Sequence, residues 1–282
     1  YPNQTINLGD IKPQEIATDP VTNLLVVVGV EKSFYTDTQH ILVYRINNTP
    51  DESGRFLVQL EDSAIQRNAE ATGLVSYGSR FYLTLTTKPY ISETTRNWVE
   101  FYPMQPVTGR ISSGTVIINS GAGNSNNLSS EEIPTGLSVS NDQTEIFISS
   151  KDSSVITYSS KNLFSPKRIK KAPILLNGLS NISYVPEHLA MISNTKSNSP
   201  LMFTLIDDTS LLNGNAAKMI TYQSVKDKGK LAGVSIVNQA DLSSNLGSAD
   251  PLELVVTPNN QYLFVATDES VKGILIYRLS VK

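Results

Sequence analysis

Apolar residues in this chain fall in short blocks, many of them alternating with polar positions, and Pro, Asn, Asp or Gly borders the blocks. β-Branched and aromatic blocks with such borders predict strands joined by tight turns. The C-terminal stretch is the clearest case: Leu252–Thr257, a Pro258-Asn259-Asn260 turn, Gln261–Thr267, a polar turn with Gly273, then Ile274–Leu279. No stretch sustains a 3.6-residue apolar period, so helix is expected to be scarce.

The blocks repeat. Pro13–Pro20, Ala71–Gly78, Pro134–Asn141, Leu179–Pro186 and Pro251–Pro258 align as innermost strands with their turns, and each has an aliphatic fourth residue. A second strand follows each one: Leu24–Val30, Arg80–Thr86, Glu145–Ser150, Leu189–Asn194 and Gln261–Thr267. Third strands are expected at Ile41–Ile46, Trp98–Tyr102, Val155–Ser159, Leu201–Ile206 and Ile274–Leu279, and outer strands at Phe56–Leu60, Thr115–Asn119, Ile174–Asn177 and Met219–Gln223. Residues 87–97, 120–131 and 224–248 then read as inserts. Leu231–Asn238, inside the last of these, is either an extra strand or the true outer strand of the fourth unit.

The ends complete the pattern. The final unit stops after three strands, while the chain opens with a lone strand, Gln4–Gly9, that resembles the outer strands elsewhere. A first strand that completes the last sheet closes a ring and removes exposed edges. The expected fold is therefore all-β: a five-bladed β-propeller of four-stranded antiparallel blades, closed by the N-terminal strand, with residues 1–282 as a single domain. The third copy, PTGLSVSNDQTEIFISSKDSSVITY, with its Pro-x-Gly start, Ser-Asn-Asp turn and Tyr-ending third strand, resembles the YVTN/lactonase-like group of β-propeller repeat proteins. Two departures stand out. Many members of that group have more blades, and Gly holds the third position here only at Gly73 and Gly136.

Composition narrows the function classes. The 23 Lys+Arg and 26 Asp+Glu leave a net charge of −3, and the densest basic run, Lys167–Lys171, is too small for a nucleic-acid footprint and reads as a solvated edge strand. No apolar run is long enough to span a bilayer. Without Cys there is no disulfide, thiolate metal site or Cys nucleophile. His40 and His188 sit in non-equivalent positions with no nucleophile elbow nearby. Tyr44, Tyr102, Tyr158 and Tyr277, at or near the ends of third strands, read as packing between blades, as does Trp98. The start at Tyr1 rather than Met means either that a leader has been removed or that the chain was trimmed, and a chain this rich in Asn, Ser and Thr produces sequons such as those at Asn3, Asn47, Asn127 and Asn181 by chance. The expected protein is a secreted, periplasmic or cell-surface monomer.

One constellation comes from the alignment. The third position of the innermost strands holds Glu15, Gly73, Gly136, Asn181 and Glu253. In a closed ring Glu15, Asn181 and Glu253 would be neighbours at the channel, a ligand or cation site with hard oxygen donors suited to a divalent cation such as calcium. The resemblance implies a comparable set in lactonase-like hydrolases. A glycosidase reading rests on Asp250-Pro251 and Asp19-Pro20, and Asp-Pro is a common turn dipeptide. The leading expectation is a non-catalytic binding or scaffold propeller whose loops meet a protein or glycan partner. The alternative is a metal-assisted hydrolase, lactonase-like or glycosidase-like, with its site at the channel mouth.

Overall fold

The computed structural model describes residues 6–47, 49–87, 95–121, 124–140, 142–151, 154–159, 165–173, 184–192, 201–208, 218–228, 230–241, 251–256, 261–267 and 274–279. Among them every regular element is a strand. The chain forms five antiparallel meanders, the blades of a five-bladed β-propeller. The first is β1 (Ile11–Asp19), β2 (Leu24–Glu31), β3 (Thr38–Ile46) and β4 (Leu57–Gln66), and the second is β5 (Ala69–Ser76), β6 (Arg80–Thr87), β7 (Asn97–Pro103) and β8 (Thr115–Ile118). The third is β9 (Pro134–Val139), β10 (Glu145–Ser150), β11 (Ser154–Ser159) and β12 (Lys167–Pro173). The fourth is β13 (Tyr184–Ile192), β14 (Leu201–Asp208), β15 (Lys218–Asp227) and β16 (Lys230–Asp241). The fifth has three strands, β17 (Pro251–Val256), β18 (Tyr262–Thr267) and β19 (Ile274–Arg278).

Two compact units divide the chain, Tyr1–Ser120 with the first two sheets and Gly121–Lys282 with the other three. In the first unit, facing sides of the two sheets share a core of Leu24, Val26, Val28, Ile41 and Val43 with Phe81, Leu83, Leu85 and Tyr102. In the second, Phe203 and Met219 of the fourth sheet pack with Leu254, Leu263 and Val265 of the fifth. β2 and β10 have no exposed apolar residue, as expected for strands covered on both faces.

The repeat extends to irregularities in the ladders. β1 skips Gln14 between Pro13 and Glu15, β5 skips Thr72 between Ala71 and Gly73, β9 skips Thr135 between Pro134 and Gly136, and β17 skips Leu252 between Pro251 and Glu253. Each skip is a β-bulge, two residues against one, which re-aims the strand locally. The third-strand tyrosines are equally regular: Tyr44, Tyr102, Tyr158 and Tyr277 pair across the ladder with Leu25, Phe81, Ile146 and Leu263. The first three are buried, and Tyr102, stacked on Phe81 of its own sheet at 4.7 Å, joins the core shared by the first two sheets, whereas Tyr44 packs with its own sheet and the N-terminal segment.

The fourth sheet corrects the sequence reading. Its innermost strand is Tyr184–Ile192, not Leu179–Pro186, and the following strands each move one place along, so that Met219–Gln223 belongs to the third strand. Leu231–Asn238 is the true outer strand, inside β16, and most of 224–248 is therefore ladder rather than insert. Pro186 suggested a turn. It is tolerated because β13 is an edge strand, where a residue without an N–H need not break a ladder, and a register shift between Glu187 and Ala190 absorbs the irregularity. In the third sheet the outer strand is Lys167–Pro173, so the basic run is an edge strand as expected; Ile174–Asn177 lies outside the described residues.

At the N-terminus, Ile6–Leu8 carries no strand, and Ile6 and Leu8 pack on Leu25, Val27, Leu42 and Tyr44 of the first sheet. The remainder of the expected closing strand, at Gln4 and Thr5, lies outside the described residues.

Candidate functional site

The aligned bulge fixes where the expected channel residues lie. Glu15, Gly73, Gly136 and Glu253 each follow the skipped residue, and they pair with Val28, Thr84, Ser149 and Ala266. The alignment thus names equivalent backbone positions in four sheets. Glu15 is half-buried there. Asn181 precedes β13 and lies outside the described residues. The skipped residues tie the bulges down. Thr72 Oγ1 donates to Thr84 Oγ1 at 3.2 Å, Thr135 Oγ1 donates to Ser149 Oγ at 3.1 Å, and Gln14 Oε1 accepts from the Ala71 N–H at 3.1 Å. Among the described residues no three His, Cys, Asp or Glu side chains gather as a metal cluster.

Asp19, one of the two Asp-Pro aspartates, is a structural residue. Buried at 1% exposure, its carboxylate accepts the N–H groups of Val21 at 2.9 Å, Thr22 at 3.1 Å and Ser79 at 2.8 Å. A carboxylate with three backbone donors holds the β1–β2 turn and the adjacent β5–β6 turn together. The turn of the third sheet is built alike: Asp142 accepts from Ser140 Oγ at 2.6 Å and from the Thr144 N–H at 3.1 Å. Asn23, Ser79 and Gln143 take positive φ at 55°, 69° and 58°, each just before a second strand.

The buried charges are also absorbed by architecture. Arg67 grips Glu100 through both carboxylate oxygens, at 2.9 and 2.8 Å, and donates to Gln39 from Nε at 2.7 Å. Trp98 Nε1 donates to Glu100 at 2.9 Å, and the Tyr102 hydroxyl donates to the same carboxylate. Burial pushes the Tyr102 phenol far above its ordinary value; Arg67 draws it down and Glu100 raises it further. In the third sheet Arg168 grips Glu132 at 2.6 and 3.1 Å, and also donates to the Asn127 carbonyl at 3.1 Å. Segment 120–131, read as an insert, is held at Asn127, and Leu128 within it is fully buried. Bidentate Arg–carboxylate pairs of this kind fix geometry more than they add stability.

The feature that sequence reading missed is the β2–β3 loop. Phe34 is 91% exposed and Tyr35 82% exposed, their rings in an edge-to-face contact at 5.1 Å and 81°. The loop base is firm. Asp37 accepts Lys32 Nζ at 2.6 Å and the Ser33 N–H at 3.4 Å, while the Asp37 N–H donates to Asn68 Oδ1 at 3.0 Å and the Arg67 N–H donates to the Asp37 carbonyl at 3.0 Å. Two adjacent aromatics between a strand end and an Asp turn, Lys32-Ser33-Phe34-Tyr35-Thr36-Asp37, were the available signal.

No protein-family model matches the chain, and no curated protein matches it by sequence. Solved structures do. The periplasmic gluconolactonase PpgL of Pseudomonas aeruginosa superposes with a TM-score of 0.55 at 11% identity, covering 96% of this chain and 82% of the other. The likeness is one of fold. The β-propeller domain of Swd1 from Myceliophteria thermophila gives 0.54 at 8% identity, over 94% and 70%, and a 6-phosphogluconolactonase candidate from Bacteroides uniformis gives 0.53 at 15%, over 95% and 68%. A lactonase and a propeller domain of another kind thus match this backbone about equally, as expected of an architecture that hosts unrelated functions.

Proposed function

We propose that this chain is a non-catalytic binding propeller that engages a protein or glycan partner through its loops, the β2–β3 loop of the first sheet foremost. The observation that carries this reading is the Phe34–Tyr35 pair, at 91% and 82% exposure on a loop whose base Asp37 holds by side-chain and backbone bonds. Large aromatics held in place before binding lose little conformational freedom when a partner covers them, and aromatic anchors dominate binding energy at interfaces. The test pairs wild type with a Phe34→Ser, Tyr35→Ser double variant. Both are screened on a glycan array and against a displayed library of protein fragments. Neither ring supports the core, so the variant should melt like wild type and bind the recovered ligand roughly 30-fold or more weakly, the loss expected on removing an anchor worth ~2 kcal/mol or more. Ligands held equally by both proteins would overturn the reading.

A second reading, a metal-assisted hydrolase using Glu15, Asn181 and Glu253, draws on two facts. Glu15 and Glu253 follow the same bulge in their respective strands, and lactonases are among the structures that share the fold. A cation bound only by the folded protein raises its stability, by about 2.7 kcal/mol at a hundredfold excess over the dissociation constant. On this reading calcium or magnesium should raise the melting temperature of wild type by several degrees over chelator, on the scale of roughly 2–4 °C per kcal/mol. Glu15→Gln with Glu253→Gln should abolish the effect. A wild type indifferent to metal, or a double variant that still responds, removes the support for this reading.

A further inference from the structure

Phe34 and Tyr35 stand nearly at right angles, with centroids 5.1 Å apart and planes at 81°. Such a pair leaves a corner walled by the face of one ring and the face of the other. The face of an aromatic ring is its negative side, and a cation within ~6 Å of the centroid is attracted to it. Because the centroids are only 5.1 Å apart, one cation in the corner comes within that reach of both rings. Both rings are almost wholly exposed, so the corner is open to a partner.

The charges at the base of the loop have the matching sign. Lys32 is paired with Asp37 at 2.6 Å. Glu31, the last residue of β2, and Asp62 of β4 both meet His40 of β3, at 3.3 and 2.9 Å. These five groups stay net negative whether or not the imidazole carries a proton. Arg67, whose backbone N–H donates to the Asp37 carbonyl, has its guanidinium on both carboxylate oxygens of Glu100. We infer that the corner between Phe34 and Tyr35 receives an arginine side chain of a protein partner. A guanidinium is planar and weakly hydrated, so it stacks on one ring, while its methylene stem covers the other. The net negative base draws an arginine in and gives a neutral sugar no such pull. The inference rests on this loop being the binding surface proposed above, and it selects a protein over a glycan.

Citrulline has the shape of arginine without its charge, so capped Gly-Arg-Gly and Gly-citrulline-Gly peptides isolate the cation. Each is titrated into the intact protein, with cellobiose as the neutral sugar, and the NMR signals of the loop amides and the two rings are followed. The arginine peptide should shift them saturably and bind roughly fivefold or more tightly than the citrulline peptide, the scale of an exposed cation–π contact. Phe34→Leu with Tyr35→Leu keeps apolar bulk but removes both π faces, and its loop amides should no longer distinguish the two peptides. Melting like that of wild type shows that this variant is folded. Signals that answer arginine and citrulline alike, answer neither, or favour the sugar overturn the inference, as does a leucine variant that keeps the arginine preference. The reading of the loop as an interface fails separately, when the screened ligands are held equally by wild type and the serine variant.

Discussion

At the residue scale, two carboxylates of the third sheet, Asp142 and Glu145, show how the same charge is treated differently three residues apart. Asp142 loses hydration on burial, but donors from Ser140 and Thr144 outweigh this and hold its carboxyl below the usual range. Glu145 has no such set. Burial raises its pKa, Lys226 at 3.4 Å draws it partly back, and Asp142 adds to the rise, while Oε2 has no hydrogen-bond partner. An acid whose folded pKa lies above its unfolded value binds its proton more tightly when folded. Its ionised form therefore weakens the fold, fully above the folded pKa and not at all below the unfolded one. Glu145→Gln keeps the shape, and Lys226, about a third exposed, can turn to water. The variant should melt above wild type at pH 8, with the gap closing as the pH falls toward 4. A gap that widens on acidification would contradict the burial account.

At the scale of elements, the segment before β1 has a measurable task. Ile6 and Leu8 cover Leu25, Val27, Leu42 and Tyr44, the face of the first sheet turned away from the second. Replacing both with Ala should destabilise the protein by about 1–3 kcal/mol, less than for fully buried aliphatics because each is only half-buried. Thermal melting measures it, and an unchanged midpoint would show that the contact contributes nothing. The strands themselves were legible in the sequence because burial writes a pattern: Leu24–Val30 and Glu145–Ser150 are recognisable from composition and borders alone, and the structure puts them within a residue of that place. The fourth sheet was not legible. Pro186 mimics a turn in sequence, and only its edge position in the sheet makes it a strand residue. Asn181 lies before β13 and outside the described residues. The Phe34–Tyr35 loop and the Glu31–His40–Asp62 contacts escaped for a different reason. They depend on exposure and on cross-strand register, neither of which leaves a periodic trace.

At the scale of the molecule, five copies of one meander give a fold that superposes on propellers at 8–15% identity. Packing between sheets constrains apolar volume and turn chemistry, so the architecture survives when identity is lost, whereas loops carry no such constraint. The outer strands carry a further consequence, one of colloidal behaviour. β4 and β12 are each the last strand of their sheet. β4 carries Glu61 and Asp62, while β12 carries Lys167, Lys170 and Lys171 beside an Arg168 already paired with Glu132, so the two edges differ in sign. Like-charged edges repel, but opposite ones invite the acidic edge of one copy to meet the basic edge of the next. Such a head-to-tail contact builds rings or open chains rather than a symmetric pair. Association of this kind fades with screening, since the Debye length shortens from ~30 Å at about 0.01 M salt to ~8 Å at about 0.15 M. Light scattering should therefore show particles that grow at low ionic strength and return to a single small species on adding salt, while reversing the charge of Lys170 and Lys171 should keep the solution monodisperse throughout.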